Sequence, residues 1–265
     1  MHDDAFRYDL ESSWFTDDLP YWEWLVETYR PRRVLDLACG TGRMTFPLAR
    51  RCAALDPGSR VVGLDISEPL LDRARERLGS DQRELSGIVS FVRGDMANFN
   101  LGEQFDLIVI GFNSLAYVIG LENQISCLQS VRRHLAPGGR LAIDLLVPAL
   151  RLLDPVTAPP MMHLELDLSA PEQGVQRMLR FATIRYNPET QVDRTLYVYE
   201  MQYTDGRQER FFDDLEWQMY FPRELELLMR LSGLKVVERY GAYDRQPFGP
   251  RSRQYLWIME ADSGA

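Results

Sequence analysis

The sequence contains few cysteines and no long hydrophobic run, and both features limit what the protein can be. Its three cysteines, Cys39, Cys52 and Cys127, are odd in number and lack CxxC or CxxxH spacing, which disfavours a disulfide framework and a structural zinc site. We expect three buried thiols. No uncharged apolar stretch approaches the roughly 18 residues that cross a bilayer, and the opening MHDDAFRYDL is acidic where a secretory signal is basic and then apolar. The sequence therefore predicts a cytoplasmic protein with no membrane partner.

Positively charged residues are also fewer than negatively charged ones, because the chain has 30 lysine and arginine residues and 39 aspartate and glutamate residues. The formal net charge is -9, so the chain offers no basic surface with which to neutralise a phosphate backbone. We therefore expect no nucleic-acid partner. A length of 265 residues suits one domain with an insertion, or two small domains.

The first half of the chain alternates apolar strand-like runs with helical segments. After a leading helix predicted over residues 17–29, the runs RRVLDLA, SRVVGLDI, VSFVRGD, FDLIVIG and GRLAIDLL are separated by segments with helical spacing, such as SEPLLDRARERL. Strands that are apolar nearly throughout and are separated by helices indicate a parallel sheet covered on both faces. The predicted fold class is therefore α/β, with a doubly wound and mostly parallel sheet.

The pattern changes after Pro148. Residues 161–220 contain long strand-like stretches separated by NPET and TDG, which are typical hairpin turns, so we expect an antiparallel sheet inserted after the fifth strand. The segment FPRELELLMRLSG then predicts a helix between Pro222 and Gly233, followed by two strands. We place an N-terminal helical lid at 1–32, the core at 33–148 and 221–261, and the inserted subdomain at 149–220.

A glycine loop follows the first predicted strand, in the stretch VLDLACGTG at residues 34–42. A nicotinamide-type GxGxxG fingerprint needs a third glycine that lets the helix pack closely on the strand, and that position holds Thr45. A Walker loop needs GxxxxGK followed by Ser or Thr, which is absent here. Both phosphate-binding interpretations therefore lose support, although the loop lies where a parallel sheet binds ligands.

Three acids follow the first three strands: Asp36, Asp65 and Asp95. An acid at the tip of the second strand is well placed to accept hydrogen bonds from both hydroxyls of a ribose, while Gly40 and Gly42 allow close approach of the backbone. Acids along one crevice would repel a pyrophosphate but suit a nucleoside with a cationic amino-acid tail. The alternative is that the loop is only a tight turn and the acids are only solvated strand tips.

These features resemble class I S-adenosylmethionine-dependent methyltransferases over nearly the whole chain. The resemblance rests on DxACGTG after the first strand, Asp65 after the second, GDM after the third, FNSL after the fourth, PGG before the fifth, and a final helix with a strand pair. It implies a Rossmann-like, seven-stranded sheet that binds S-adenosylmethionine and releases S-adenosylhomocysteine. The cofactor residues that it implies are Asp36, Ala38, Gly40 and Gly42 at the methionine end, Asp65 and Ile66 at the ribose and adenine, Asp95 and Met96 at the adenine edge, and Asn113.

The inserted sheet narrows the resemblance to small-molecule methyltransferases, such as amino-sugar and antibiotic N-methyltransferases. These enzymes typically place the tyrosine of an N-terminal YD pair over the active site, and Tyr8 with Asp9 matches that pair. They usually carry an aromatic residue or histidine four residues after the Asn of FNSL, and that position is Tyr117. The resemblance therefore implies that Tyr8 and Tyr117 are catalytic, and that methyl passes by in-line displacement to an amine, or as second choice a hydroxyl, of a small metabolite in a biosynthetic pathway.

The sequence also allows other functions and other roles for single residues. Fold alone also allows a nicotinamide-dependent oxidoreductase, and a non-catalytic S-adenosylmethionine-binding scaffold could act through its inserted sheet. Tyr8 and Tyr117 could serve packing alone, Asn113 could cap the next helix, and Arg43 is expected on the surface of the first helical turn. Asp144, near the end of the fifth strand, has no second and third ligand in register for magnesium, so we expect no metal. The identity of the acceptor, and whether the chain forms homo-oligomers, are not determined by the sequence.

Overall fold

The structure, a computed structural model, describes residues 4–149, 161–262 and 264. Residues 1–3 of the predicted lid and residues 150–160 of the predicted insertion lie outside this range. The helices are α1 (Ala5–Ser12), α2 (Leu19–Tyr29), α3 (Thr45–Leu55), α4 (Glu68–Gly79), α5 (Leu121–His134) and α6 (Pro222–Leu231). The strands are β1 (Arg33–Leu37), β2 (Arg60–Asp65), β3 (Val89–Arg93), β4 (Phe105–Ile110), β5 (Leu135–Leu146), β6 (His163–Ala170), β7 (Val175–Asn187), β8 (Val192–Tyr203), β9 (Gln208–Gln218), β10 (Leu234–Tyr240) and β11 (Gln254–Ala261).

Seven strands form one sheet in the order β10-β11-β5-β4-β1-β2-β3. Strands β1 to β5 run parallel to their neighbours in that group, whereas β11 is antiparallel to both β5 and β10. The predicted doubly wound, mostly parallel, seven-stranded sheet is therefore confirmed. The strand order reverses between β1 and β4, and ligands of open α/β sheets bind at such a point, outside the carboxyl ends of the strands.

The apolar runs of the sequence form the middle of this sheet. Leu35 of β1 and Ile108 of β4 have no exposed surface, and neither do Trp22 and Leu25 of α2. Strands covered on both faces need no alternation of polar side chains, which is why these runs are nearly continuous. Each such large apolar side chain contributes about 1.5–3 kcal/mol relative to an exposed one, so the strand ends that carry the glycine loop stand on a rigid base.

A second sheet is formed by the inserted strands, in the order β6-β7-β8-β9, with every neighbouring pair antiparallel. The sequences NPET and TDG join β7 to β8 and β8 to β9, as predicted. Alternate residues of β8, including Tyr197 and Tyr199, are buried, and the ring of Tyr199 stacks on Phe211 with centroids 4.7 Å apart. By its internal contacts the chain divides into Met1–Val147 with Phe221–Ala265, and Pro148–Tyr220.

The N-terminal segment differs in detail from the prediction. The leading helix begins at Leu19 rather than at residue 17, and α1 precedes it as a separate helix. Asp18 stands at the N-cap position of α2, but its side chain makes no capping hydrogen bond. The carboxylate instead accepts a hydrogen bond from the indole N–H of Trp22 at 3.1 Å. It is therefore committed to side-chain partners, one of which belongs to the site described below.

The three cysteine thiols lie in the interior of the protein. Cys39, Cys52 and Cys127 are buried and free, as the sequence predicts. Across residues 4–149, 161–262 and 264, none of the helices combines the length and apolarity needed to cross a membrane.

Candidate functional site

The glycine loop joins β1 to α3 through backbone conformations that suit glycine. Ala38, Gly40 and Gly42 have φ angles of 60°, 56° and 84°, and positive φ is costly for an L residue that carries a Cβ. Ala38 is therefore held in a strained conformation at the carboxyl end of β1. Strain of this kind persists only where the surrounding structure enforces it, and it clusters at functional sites.

Asp65 ends β2 and faces this loop. Its carboxylate accepts hydrogen bonds from the backbone N–H groups of Gly40 at 2.8 Å and of Ser67 at 2.9 Å, and 7% of the residue is exposed. Burial raises the pKa of Asp65, while hydrogen bonds from the backbone oppose that rise. Because a carboxylate offers about four lone-pair sites, Asp65 keeps capacity for hydrogen bonds from a ligand.

A cavity of about 300 Å³ opens beside Asp65. Pockets for small ligands begin at about this size. Six of the predicted site residues line it: Ala38, Asp65, Ile66, Asp95, Met96 and Tyr117. The remaining lining consists of Leu64, Gly94, Ala97, Val118, Ile119 and Asn123. The structure therefore brings the tips of β1, β2 and β3 together with the turn after β4, around one cavity.

Asp36 lies beneath the loop and outside the lining of that cavity. The residue is 1% exposed, and its carboxylate accepts a hydrogen bond from the hydroxyl of Thr45 at 2.6 Å. Burial raises the pKa of Asp36 to about 7, and the Thr45 hydrogen bond and the charge of Arg43 oppose the rise. Its ionisation is therefore sensitive to any cation that binds above the loop.

Helix α1 places Tyr8 on the glycine loop. A Cβ atom built on Gly40 would lie 2.7 Å from the hydroxyl oxygen of Tyr8 and 2.9 Å from its ring carbon, so the ring occupies the space that a side chain at position 40 would need. Burial raises the pKa of the Tyr8 hydroxyl still further above neutral pH, so the hydroxyl is protonated there. Neither Tyr8 nor Gly42 lines the cavity.

The neighbouring residue, Asp9, fastens α1 to two other segments. Its carboxylate accepts a hydrogen bond from the hydroxyl of Thr41 in the glycine loop at 2.6 Å and one from Arg73 of α4 at 3.1 Å. The guanidinium of Arg77 lies 3.6 Å from the same carboxylate and donates to the carbonyl of Thr41 at 3.2 Å. We call this group, Asp9 with Thr41, Arg73 and Arg77, the Asp9 clamp.

The turn after β4 is strained at two consecutive residues. Phe112 and Asn113 have φ angles of 52° and 61°. The side-chain oxygen of Asn113 accepts a hydrogen bond from the N–H of Leu146 at 3.0 Å, it makes no capping hydrogen bond to the following turn, and the residue does not line the cavity. The capping alternative for Asn113 is therefore wrong, and its side chain joins the turn to β5.

Arg43 occupies a position that the sequence did not reveal. The expectation of a surface position is wrong, because its side chain is only 10% exposed and forms two hydrogen bonds to the fully buried carboxylate of Asp18, at 2.8 and 2.7 Å. It also donates to the carbonyl of Phe15 at 2.9 Å, and its guanidinium lies 4.6 Å from the ring centroid of Phe112. Arg43 therefore ties the end of the glycine loop to α2 and to the turn after β4.

Asp144 and Tyr243 form a second pair that sequence reasoning missed. Asp144 is 3% exposed near the end of β5, and it accepts hydrogen bonds from the Tyr243 hydroxyl at 2.8 Å and from the N–H of Phe112 at 3.2 Å. Burial raises the pKa of Asp144 to about 7, and the Tyr243 hydrogen bond opposes the rise. No sequence signal marked Tyr243, which lies in the long connection between β10 and β11.

Metal-binding side chains do not cluster in the part of the chain that the structure describes. Nowhere in it do three or more His, Cys, Asp or Glu side chains gather so that they could hold a metal ion.

Comparison with known proteins finds similarity to methyltransferases. Residues 34–139 match a family model described as "Methyltransferase domain". The chain is 28% identical to the cypemycin N-terminal methyltransferase of a Streptomyces species, over 96% of this chain and 94% of that one. It is 31% identical to the dTDP-3-amino-3,4,6-trideoxy-alpha-D-glucopyranose N,N-dimethyltransferase of Streptomyces venezuelae, over 42% and 41% of the two chains.

A solved structure agrees with these sequence matches. The CcbJ methyltransferase of Streptomyces caelestis superposes with a TM-score of 0.74 and 26% identity, covering 94% of this chain and 91% of that one. Neither the family match nor these three relatives support a nicotinamide-dependent oxidoreductase or a non-catalytic scaffold.

Proposed function

Because the chain is a class I S-adenosylmethionine-dependent methyltransferase, we propose that it methylates an amine of a small metabolite by direct in-line displacement. The observation that carries the proposal is the cavity beside Asp65, which lies at the carboxyl edge of the sheet and is lined by two acids. One relative is named an N,N-dimethyltransferase and another an N-terminal methyltransferase, and these names favour nitrogen over oxygen as the acceptor atom. No metal is required by this proposal.

We propose that the cavity holds the adenosine part of the methyl donor. Asp65 would accept hydrogen bonds from the ribose hydroxyls with the acceptor capacity that the backbone leaves free. Ile66, which is 40% exposed although apolar, would cover one face of the adenine, and Asp95 with Met96 would border its edge. This fit rests on a lining that is apolar over much of its area and acidic at two points, with no lysine or arginine.

We propose that the methionine end lies on the glycine loop, where Ala38, Gly40 and Gly42 let the backbone come close. Asp36 would act through its charge, since its carboxylate is buried below the loop and already accepts a hydrogen bond from Thr45. Asn113 would act indirectly, by holding the turn after β4 against β5. The donor supplies a methyl group on a positively charged sulfonium, which becomes a neutral thioether when the methyl leaves.

Alignment is then the main task of the protein. Holding the acceptor nitrogen in line with the methyl carbon contributes about 7–11 kcal/mol, because the encounter becomes intramolecular. We propose that Tyr8, over Gly40, and Tyr117, in the wall of the cavity, orient the acceptor from two sides. The N-terminal residues 1–32 would act as a lid, since the Asp9 clamp fastens α1 to the glycine loop and to α4.

The test is methyl transfer to matched pairs of acceptors. Amino sugars, peptides with a free N-terminus and aliphatic amines are each offered beside the analogue that carries a hydroxyl in place of the amine, and formation of S-adenosylhomocysteine is measured. We expect turnover of at least one amine and at least 100-fold less of its hydroxyl analogue. Turnover of the hydroxyl analogue alone, or of neither series, would overturn the choice of nitrogen.

A further inference from the structure

Asp144 is a buried acid to which the proposed function assigns no role. Its neighbours in the described part of the chain include no lysine, arginine or histidine that forms an ion pair with it; its partners are the Tyr243 hydroxyl and the N–H of Phe112. Taking a carboxylate out of water without a cation is expensive, and a protein keeps such a group mostly where it serves a function.

The charged and titratable groups that face Asp144 come from several elements. Tyr243 donates to it, the charge of Asp18 raises its pKa, and the charge of Arg43 lowers it. The fourth neighbour is Tyr21 of α2. Burial raises the pKa of Tyr21 most, and the negative charge of Asp144 raises it further. The hydroxyl of Tyr21 is buried and has no hydrogen-bond partner among the residues that the structure describes.

Asp144 and Tyr243 lie at the edge of the sheet where methyl transfer is proposed. β5 is the neighbour of β4, and the connection that carries Tyr243 returns to the end of β5, where Gln254 pairs with Leu146. The ring of Tyr243 lies 6.0 Å from that of Phe15, which lies 5.7 Å from that of Phe112.

These three rings form what we call the aromatic wall, Phe15, Phe112 and Tyr243. Phe112 is 40% exposed although it is a large apolar residue, and its φ of 52° is strained. An exposed aromatic side chain on a strained turn at the edge of the sheet is suited to contact with a ligand. The aromatic wall therefore lies beside the Asp144 carboxylate, to which the Tyr243 hydroxyl donates, at the same edge of the sheet as the proposed reaction.

We propose that Tyr243 and Asp144 form a proton relay that removes a proton from the ammonium form of the acceptor. The inference rests on the proposed amine methylation. An ammonium nitrogen has no lone pair, so it must lose a proton before it can attack. The Tyr243 oxygen takes that proton while its own O–H proton passes to Asp144.

The remaining steps balance without another reagent. The freed nitrogen lone pair forms the bond to the methyl carbon, the carbon–sulfur bond breaks, and its electron pair stays on sulfur. The methylated product leaves as an ammonium ion, and the proton on Asp144 returns through Tyr243 to water. A proton acceptor works best when its pKa lies near the working pH, and burial has brought the pKa of Asp144 to about 7.

The experiment compares Tyr243→Phe and Asp144→Asn with wild type, using an amine that wild type methylates, at saturating S-adenosylmethionine and across about pH 6 to 9.5. Tyr240→Phe is the matched control, because its hydroxyl also donates to a carboxylate, that of Glu238. For wild type, we expect kcat/KM to rise through about pH 7 and then level. Each relay variant is expected to fall by about 100-fold near neutral pH, with a deficit that shrinks as the pH approaches the pKa of the amine itself. The control is expected to follow wild type.

Affinity for S-adenosylhomocysteine and the melting temperature are measured for every variant, so that loss of folding is recognised. A deficit of equal size at all pH values would show that the pair only positions the aromatic wall, and would overturn the relay. The relay would also be overturned if kcat/KM of wild type rose only as the pH passed through the pKa of the amine. That result does not depend on whether the variants fold. If wild type binds S-adenosylhomocysteine but methylates no amine, the proposed function fails first and the relay with it.

Discussion

Removal of the Asp9 carboxylate should release α1 from the glycine loop. In Asp9→Ala the hydroxyl of Thr41 loses a charge-assisted hydrogen bond of 2.6 Å, worth about 1.5–3 kcal/mol. Arg73 and Arg77 also lose a partner, but their side chains are 45% and 27% exposed, so solvent limits each pair to about 0.5 kcal/mol. The sum is about 3 kcal/mol, which corresponds to a rise of roughly 100-fold in the population with α1 detached.

Hydrogen exchange of the backbone amides in α1 measures that population directly. The amide of Tyr8 donates to Asp4 and the amide of Ser13 donates to Asp9, and both should exchange about 100-fold faster in Asp9→Ala. Arg73→Ala should give a smaller acceleration, of a few-fold, which high salt should remove. If α1 is the lid, dissociation of S-adenosylhomocysteine should accelerate in the same order.

The matched control is Arg75→Ala. Arg75 lies on the same helix and is 40% exposed, close to the 45% of Arg73, but it pairs with Glu68 and Asp72 and not with α1. Exchange in α1 should therefore be unchanged in this variant. Unchanged protection in Asp9→Ala, or an equal effect of Arg75→Ala, would refute the clamp.

Three further predictions concern the loop and its supports. Gly40→Ala should weaken binding of S-adenosylhomocysteine, because the new Cβ meets the Tyr8 hydroxyl and φ stays positive; Tyr8→Ala in the same chain should restore only part of the loss, which calorimetry can show. Arg43→Met should lower the free energy of unfolding in urea by about 3 kcal/mol, because the buried carboxylate of Asp18 loses its cationic partner. An unchanged free energy of unfolding would contradict the structure. For Asp36, the raised pKa means that the native state binds more protons than the unfolded state between about pH 4 and 7, so its contribution to stability falls as pH rises through that window. The stability of Asp36→Asn relative to wild type should therefore increase as the pH rises from about 4 to 7, and a difference that does not change with pH would contradict the burial argument.

The fold was predictable because its determinants are local in the sequence. The apolar run of β1, the turn at Gly40 and Gly42, and the helix between Pro222 and Gly233 are each encoded within a few consecutive residues. Parallel strands that carry acids at their ends also place those acids at one edge, which is why Asp65 and the residues after β3 were found together at the cavity.

The supports of the site were not predictable, because each joins residues that are distant in the chain. Arg43 and Asp18 are 25 positions apart, and Tyr243 and Asp144 are 99 positions apart. Nothing in the composition around Tyr243 distinguishes it from a surface tyrosine, and Asp18 has the local pattern of a helix cap. Arg43 and Asp18 meet where the residues just before α3 and α2 come together, and Asp144 and Tyr243 meet where β5 contacts the connection after β10.

The most direct test of the account is a calorimetric titration of the whole chain with S-adenosylhomocysteine, for wild type, Asp65→Asn and Asp65→Ala, with Asp72→Ala as a control acid that pairs with Arg75 on the surface of α4. We predict micromolar affinity for wild type and for the control. Loss of charge-assisted hydrogen bonds to the ribose should weaken binding by at least about 10-fold in Asp65→Asn and about 100-fold in Asp65→Ala. Equal affinity in all four proteins, or no detectable binding to wild type, would contradict the central claim that the acid at the tip of β2 holds the nucleoside of the methyl donor.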